Sequence, residues 1–211
     1  MLKKVLALVT LLSVVICCFT GCFLYKGFSY KGIVEELDEF KLERLWITKD
    51  MFDLTQKLED SKGASAYYAT DEQKDAEAIY DGYLKAKHYN RTGGIKKVII
   101  GIEKEKVDKD TFVSSIYLID FQNKKDAEDT FWTFAYTREK EKYHETGKKF
   151  GYQYDITYQS NYKYCIRSGV YLSGSTLLLV NCVQRNGYKW GFTANIYKHL
   201  GIIDPAVLAD K

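Results

Sequence analysis

The sequence predicts an α+β fold: an antiparallel sheet with helices packed on it, loosely ferredoxin-like. Three observations predict it. Tyr152, Tyr154, Ile156 and Tyr158 alternate with polar residues, the period of a half-buried strand. Ala127, Phe131, Phe134 and Ala135 fall at i, i+4, i+7 and i+8, one face of a helix. Short apolar runs are separated by turn-forming glycines, with helical patterns at both ends of the body. With 211 residues, 46% of them hydrophobic and 28% charged, the chain is neither disordered nor collagen-like and holds a proper core.

Along the chain, Val34, Leu37, Phe40, Leu42 and Leu45 recur as on a helix within residues 33–46. Thr48 reads as the N-cap of a helix over 49–60, with Met51, Leu54 and Leu58 on one face and Gly63 past its end. Residues 64–69 form a short strand. Thr70, with Gln73 three on, makes a capping box that opens a helix carrying Ala76, Ile79, Tyr80, Tyr83 and Leu84. Two strands, 95–102 and 111–121, are joined by a charged loop, 103–110. Asn123 caps the helix of Ala127 and Phe131, which fades through 139–145 and ends near Gly147. The strand of Tyr152–Tyr158 follows, then a hairpin of 162–172 with 176–184 around Ser173-Gly174. Asn186-Gly187 is a turn, and 190–200 is a last helix stopped by Gly201.

The first 25 residues define how the chain is attached. Lys3 and Lys4 form a positive start, and residues 5–25 run without a charge. That run is long enough for a spanning helix and also suits an export signal. Phe19-Thr20-Gly21-Cys22 resembles a bacterial lipobox, in which small residues admit a peptidase beside the cysteine that becomes diacylated. It assigns 1–21 to a lipoprotein signal peptide, 22–47 to a lipidated anchor and membrane-proximal tether, 48–203 to an extracytoplasmic α+β domain and 204–211 to a tail. An uncleaved anchor and a secreted product are the competing readings. Phe23-Leu24-Tyr25 lengthens the apolar run as an uncleaved anchor would want. In each reading the lysines hold the N-terminus in the cytoplasm and the body lies outside. Removing Lys3 and Lys4 lowers the net charge from +3 to +1, which gives no electrostatic case for nucleic acid.

Cleavage before Cys22 leaves Cys22, Cys165 and Cys182. If Ser173-Gly174 is a two-residue turn, Cys165 faces Cys182 across the hairpin, at a distance that permits a disulfide. Two buried thiols on neighbouring strands are the other reading. Neither cysteine belongs to a Cys-x-x-Cys pair.

Tyr117-Leu118-Ile119-Asp120-Phe121, then Asn123-Lys124-Lys125-Asp126-Ala127, a tyrosine-rich strand, a Gly-containing hairpin and the helix end Leu200-Gly201 carry a resemblance. The chain resembles small uncharacterised cell-envelope lipoproteins of Gram-positive bacteria over residues 48–203. The shared motifs are caps and core positions, so the resemblance implies a fold and a location and brings no catalytic residues.

The search for chemistry finds little. His88, His144 and His199 lack metal-ligand spacing. There is no Gly-x-Ser-x-Gly elbow, P-loop or dinucleotide fingerprint. Most carboxylates alternate with lysines, as on a solvated surface, and only Asp120 stands in an apolar run. The residues therefore predict no catalytic site, no metal and no cofactor. The tyrosines are the functional lead. Tyr152, Tyr154, Tyr158, Tyr162 and Tyr164, with Trp190 beyond, would form a binding face for an envelope protein or a glycan. Core packing of the same rings, with their hydroxyls reaching the edge, is the preferred reading. The expectation is a membrane-attached, non-catalytic binding or scaffold domain of the envelope, with an envelope hydrolase or enzyme accessory domain as the alternative.

Overall fold

A computed structural model describes residues 28–45, 65–84, 93–107, 110–149, 151–187 and 191–209. The expected lipobox residues Phe19, Thr20, Gly21 and Cys22, the helix capped by Thr48, and Trp190 lie outside the described residues.

Eight strands form one sheet: β1 (Glu43–Leu45), β2 (Ala66–Thr70), β3 (Ile95–Val107), β4 (Asp110–Phe121), β5 (His144–Lys149), β6 (Tyr152–Ser160), β7 (Tyr164–Ser173) and β8 (Thr176–Arg185). Their spatial order is β1-β2-β3-β4-β8-β7-β6-β5. Only β1 and β2 run parallel. The α+β class with a mostly antiparallel sheet is thus present. The order is that of two meanders, β2-β3-β4 and β5-β6-β7-β8, joined where β4 pairs β8. A ferredoxin-like layer is not confirmed by it.

Helices cover both faces. Helices α1 (Tyr30–Glu39) and α4 (Phe192–Leu200) lie on one, and α2 (Gln73–Ile79) and α3 (Lys124–Arg138) on the other. The central strands are accordingly apolar on both sides. In β4, Tyr117 and Ile119 face α2 and α3, while Ile116 and Leu118 face α1 and α4. In β8, Leu177 and Leu179 face one way, and Leu178 and Val180 the other. This explains the unbroken runs in both strands.

Several elements follow the sequence closely. Asn123 caps α3, its Oδ1 accepting the Asp126 N–H at 3.0 Å. Ala127, Phe131 and Ala135 are buried against the sheet. Gly201 stops α4 in the left-handed conformation at φ 66°.

Others depart from it. Helix α1 ends at Glu39 and gives way to β1, rather than continuing to 46. Thr70 ends a strand and does not cap: α2 starts after Glu72, and the Thr70 hydroxyl accepts the Glu72 N–H at 3.2 Å. The charged segment 103–110 is mostly strand, because β3 runs to Val107 and β4 starts at Asp110. Helix α3 ends at Arg138, and residues 144–149 form an edge strand that the sequence reading placed in a fading helix. Within 204–211, read as a tail, Asp204 caps a 3-10 turn (Pro205–Leu208) that buries Pro205 and Leu208.

The β7–β8 hairpin has a different register from the expected one. Its two-residue turn is Gly174-Ser175, with Ser173 opposite Thr176 and Gly174 at φ 61°. A hairpin turn of this kind places glycine at its first central position, where φ must be positive. Cys165 therefore faces Gln184 and Cys182 faces Arg167, and both cysteines are thiols. The expected Cys165–Cys182 pairing is not formed.

Candidate functional site

The tyrosines do not assemble into an exposed face. Tyr152 and Tyr154 are buried, under Phe28 and the chain after Gly201. Phe28 packs on Tyr152 and Tyr171 with ring centroids 6.0 and 6.3 Å away. The Tyr152 hydroxyl accepts the Ile203 N–H at 3.1 Å, and the Tyr154 hydroxyl donates to Glu145 Oε1 at 2.8 Å. Burial first, then that bond to Glu145, pushes the Tyr154 phenol up to about 12. Tyr158 packs at the edge of the same core and Tyr164 is half-buried. Only Tyr162, in the β6–β7 turn, projects into solvent, at 96% exposure. The alternation that marks the strand placed these rings inward: core packing uses it up.

Cys182 sits beside a structural cation. Arg167 is buried; its guanidinium pairs with Asp204 Oδ2 at 2.5 Å and donates to Gln184 Oε1 at 3.0 Å and Cys182 Sγ at 3.2 Å. It also lies 5.4 Å from the Tyr197 ring centroid. Burial raises the Cys182 thiol even though Arg167 pulls it down. A thiol held protonated is a poor nucleophile, so this is packing chemistry.

Asp120, the one acid in an apolar run, fixes a turn. Its Oδ1 accepts the Ser175 and Thr176 hydroxyls at 3.0 and 3.3 Å and pairs with Lys96 at 3.5 Å. Glu103 caps a helix from a distance: its oxygens accept the N–H groups of Phe192 and Thr193 at 2.7 and 3.1 Å. His199 bridges α4 to α1 through Glu36 at 2.8 Å. Among the described residues, no group of three or more His, Cys, Asp or Glu side chains is placed to hold a metal ion.

The feature that remains open lies between α3 and the edge strand β5. Helix α3 carries the chain from β4 in mid-sheet to β5 at the rim, and it packs over β4, β7 and β8. A cleft of about 370 Å³ follows its outer side, lined by Trp132, Ala135, Tyr136, Glu139, His144 and Thr146. Trp132 is 52% and Tyr136 79% exposed, four residues apart and so on one helical face.

A buried charge cluster holds the helix and the strand together. Asp155 of β6 has no exposed side-chain surface. Arg138, the last residue of α3, pairs with Asp155 Oδ1 at 3.1 Å and donates to Thr157 Oγ1 at 2.7 Å and the Ser168 carbonyl at 2.9 Å. From β5, His144 Nε2 meets Asp155 Oδ2 at 2.5 Å, and the Thr146 hydroxyl donates to the same oxygen at 2.9 Å. Asp155 Oδ2 is thus hydrogen-bonded from β5, while Oδ1 is held from α3 by the ion pair with Arg138 and no hydrogen bond. The cluster positions a cleft; its carboxylate is not presented to one.

Sequence reasoning missed this place. His144 shows no metal-ligand spacing to mark it, and Trp132 and Tyr136 lie off the apolar stripe that identifies α3. A signal was present: two large aromatic rings, Trp132 and Tyr136, on the helix face beside that of Phe131 and Ala135. No protein-family model matches the chain, no curated protein matches it, and no solved structure matches its fold.

Proposed function

We propose that the chain is a membrane-attached, extracytoplasmic lipoprotein whose α+β domain binds a component of the bacterial envelope without catalysing a reaction on it. The observation that carries the binding role is the cleft beside α3, where two exposed aromatic rings stand over polar side chains already committed to one another. Concave sites lined by aromatics with a few polar groups are where ligands bind. A hydrolytic reading needs a carboxylate or base aimed into the cleft; His144 Nε2 and Thr146 instead turn to the buried Asp155.

Attachment rests on Phe19-Thr20-Gly21-Cys22 after a positive start, and on the resemblance to envelope lipoproteins. Among the described residues, no helix is long and apolar enough to cross a membrane. Phe28 is already buried in the domain. With at most about 3.6 Å per residue, a lipid on Cys22 would hold the domain within roughly 20 Å of the bilayer. The domain would work at the membrane surface.

Radiolabelled palmitate tests the attachment. The expected result is label in the wild type and none in Cys22→Ser. Label that survives the substitution, or is absent from the wild type, overturns the lipoprotein assignment and leaves an uncleaved anchor.

A further inference from the structure

We infer that the open edge of β5 and the adjoining cleft dock an extended polypeptide strand. That strand carries a large apolar or aromatic side chain and, two residues away, a carboxylate. The inference rests on the binding role proposed above and names its ligand class.

Hydrogen-bond geometry comes first. The Tyr158 N–H donates to the Tyr143 carbonyl at 3.0 Å, and the register runs unbroken from His144 opposite Thr157 to Lys149 opposite Tyr152. In an antiparallel pair, bonded and non-bonded residues alternate. Tyr143, Glu145, Gly147 and Lys149 therefore turn their backbone groups toward β6, while His144, Thr146 and Lys148 turn theirs away from the sheet. Among the described residues, no strand pairs with that outer side. Alternating N–H and C=O groups about 7 Å apart match the backbone of another extended strand. Neither a sugar nor a helix presents that ladder.

Side-chain placement comes second. Cross-strand partners share a face, and His144 and Thr146 line the cleft. A residue docked opposite Thr146 thus sends its side chain toward the cleft and the rings of Trp132 and Tyr136. Glu139 also lines the cleft and disfavours an acid within it.

Charge comes third. Lys148 follows on the same face as Thr146, and Lys149 stands beside it, both exposed. The neighbouring acids are engaged elsewhere: Glu145 accepts from Tyr154, and Glu141 accepts from Gln159 at 2.6 Å. A carboxylate two residues from the apolar anchor would meet Lys148. A second copy of β5 fits less well, because antiparallel self-pairing centred on Thr146 sets Lys148 against His144 and offers it no acid.

The edge strand is also regular. The Tyr154 ring crosses beneath Gly147, and a Cβ there would run into it. Such aromatic cover of an edge glycine supports a regular strand.

The test is calorimetric titration of the full chain in detergent micelles with acetyl-Thr-Asp-Thr-Phe-Thr-Asp-Thr-amide, which reads alike in both strand directions. Binding should weaken at least about tenfold when Phe and both Asp are N-methylated, which keeps the side chains and deletes the backbone donors. Replacing Phe by Ala in the peptide, or Trp132→Ala in the protein, should cost about tenfold as well. Lys148→Glu should weaken this peptide about fivefold and favour its Asp-to-Lys analogue. If the N-methylated peptide binds as tightly as its parent, or no peptide binds, the inference is overturned. Two further measurements then separate it from the binding role. An N-acetylglucosamine tetrasaccharide that binds the wild type but not Trp132→Ala would leave a binding cleft with a glycan ligand. A dimer with protected β5 amides would make the occupant a second copy. If peptide, sugar and second copy all leave the cleft untouched, the binding role falls too.

Discussion

Asp155 has no exposed side-chain surface and answers to Arg138 from one element and His144 from another. Breaking a buried pair strands the surviving charge, which costs about 3–5 kcal/mol. Asp155→Ala should therefore lower stability by about that amount in urea unfolding, and Arg138→Met by a similar amount. The double variant should lose less than the sum, since no charge is left stranded. Additive losses would show that the two side chains do not act as a pair.

The tyrosines make a second prediction at this scale. Burial raises Tyr67, Tyr68 and Tyr154 to about 12 and lifts Tyr171 and Tyr197 well above their ordinary value. A folded value above the unfolded 10.0 means that the native state holds its protons longer. That stability is complete below pH 10 and is lost as pH rises through 12. Denaturant midpoints should fall across that window while phenolate absorbance lags behind that of free tyrosine. A midpoint unchanged between pH 10 and 12 would contradict the burial described. The cysteines complete the set: half-buried Cys165 should alkylate in the native protein, and buried Cys182 only on unfolding. Two thiols that resist alkylation until reduced would restore the disulfide.

Among the elements, α3 and β5 show what a sequence discloses and what it hides. The Asn123 cap and the Ala127–Phe131–Ala135 stripe were legible because capping and amphipathic spacing are local. Asn123→Ala should cost about 1 kcal/mol, measured by thermal unfolding. Strand β5, His-Glu-Thr-Gly-Lys-Lys, was hidden because an edge strand has little apolar surface to alternate. Its partner β6 follows at once, with Lys149 opposite Tyr152, but a polar segment beside an alternating one does not by itself announce a hairpin. Thr70 misled because a hydroxyl at a strand end satisfies a nearby N–H much as a cap does. The hairpin register turned on one glycine: at the first turn position instead of the second, Gly174 moves Cys165 away from Cys182. For the site, the alternation of the tyrosines was legible, and the preferred reading, rings in the core with hydroxyls at its edge, holds for Tyr152 and Tyr154. The cleft joins side chains of α3 and β5, which no spacing rule brings together.

At the scale of the whole molecule, two meanders meet at β4 and β8, both apolar on each face, and the sheet becomes more polar toward β5. That arrangement puts rigidity at the centre and leaves the rim for contact. Amides of β4 and β8 should exchange only on global unfolding, and those of β5 in smaller openings. If the Cys22 lipid is present, the same rim is carried close to the membrane. The central claim is that this rim is open and built to accept a strand. Residue-resolved amide hydrogen exchange on the free protein tests it most directly. Rapid exchange is expected at His144, Thr146 and Lys148, with protection at Glu145, Gly147 and Lys149. Equal protection at all six would show that the edge is already covered and would contradict it.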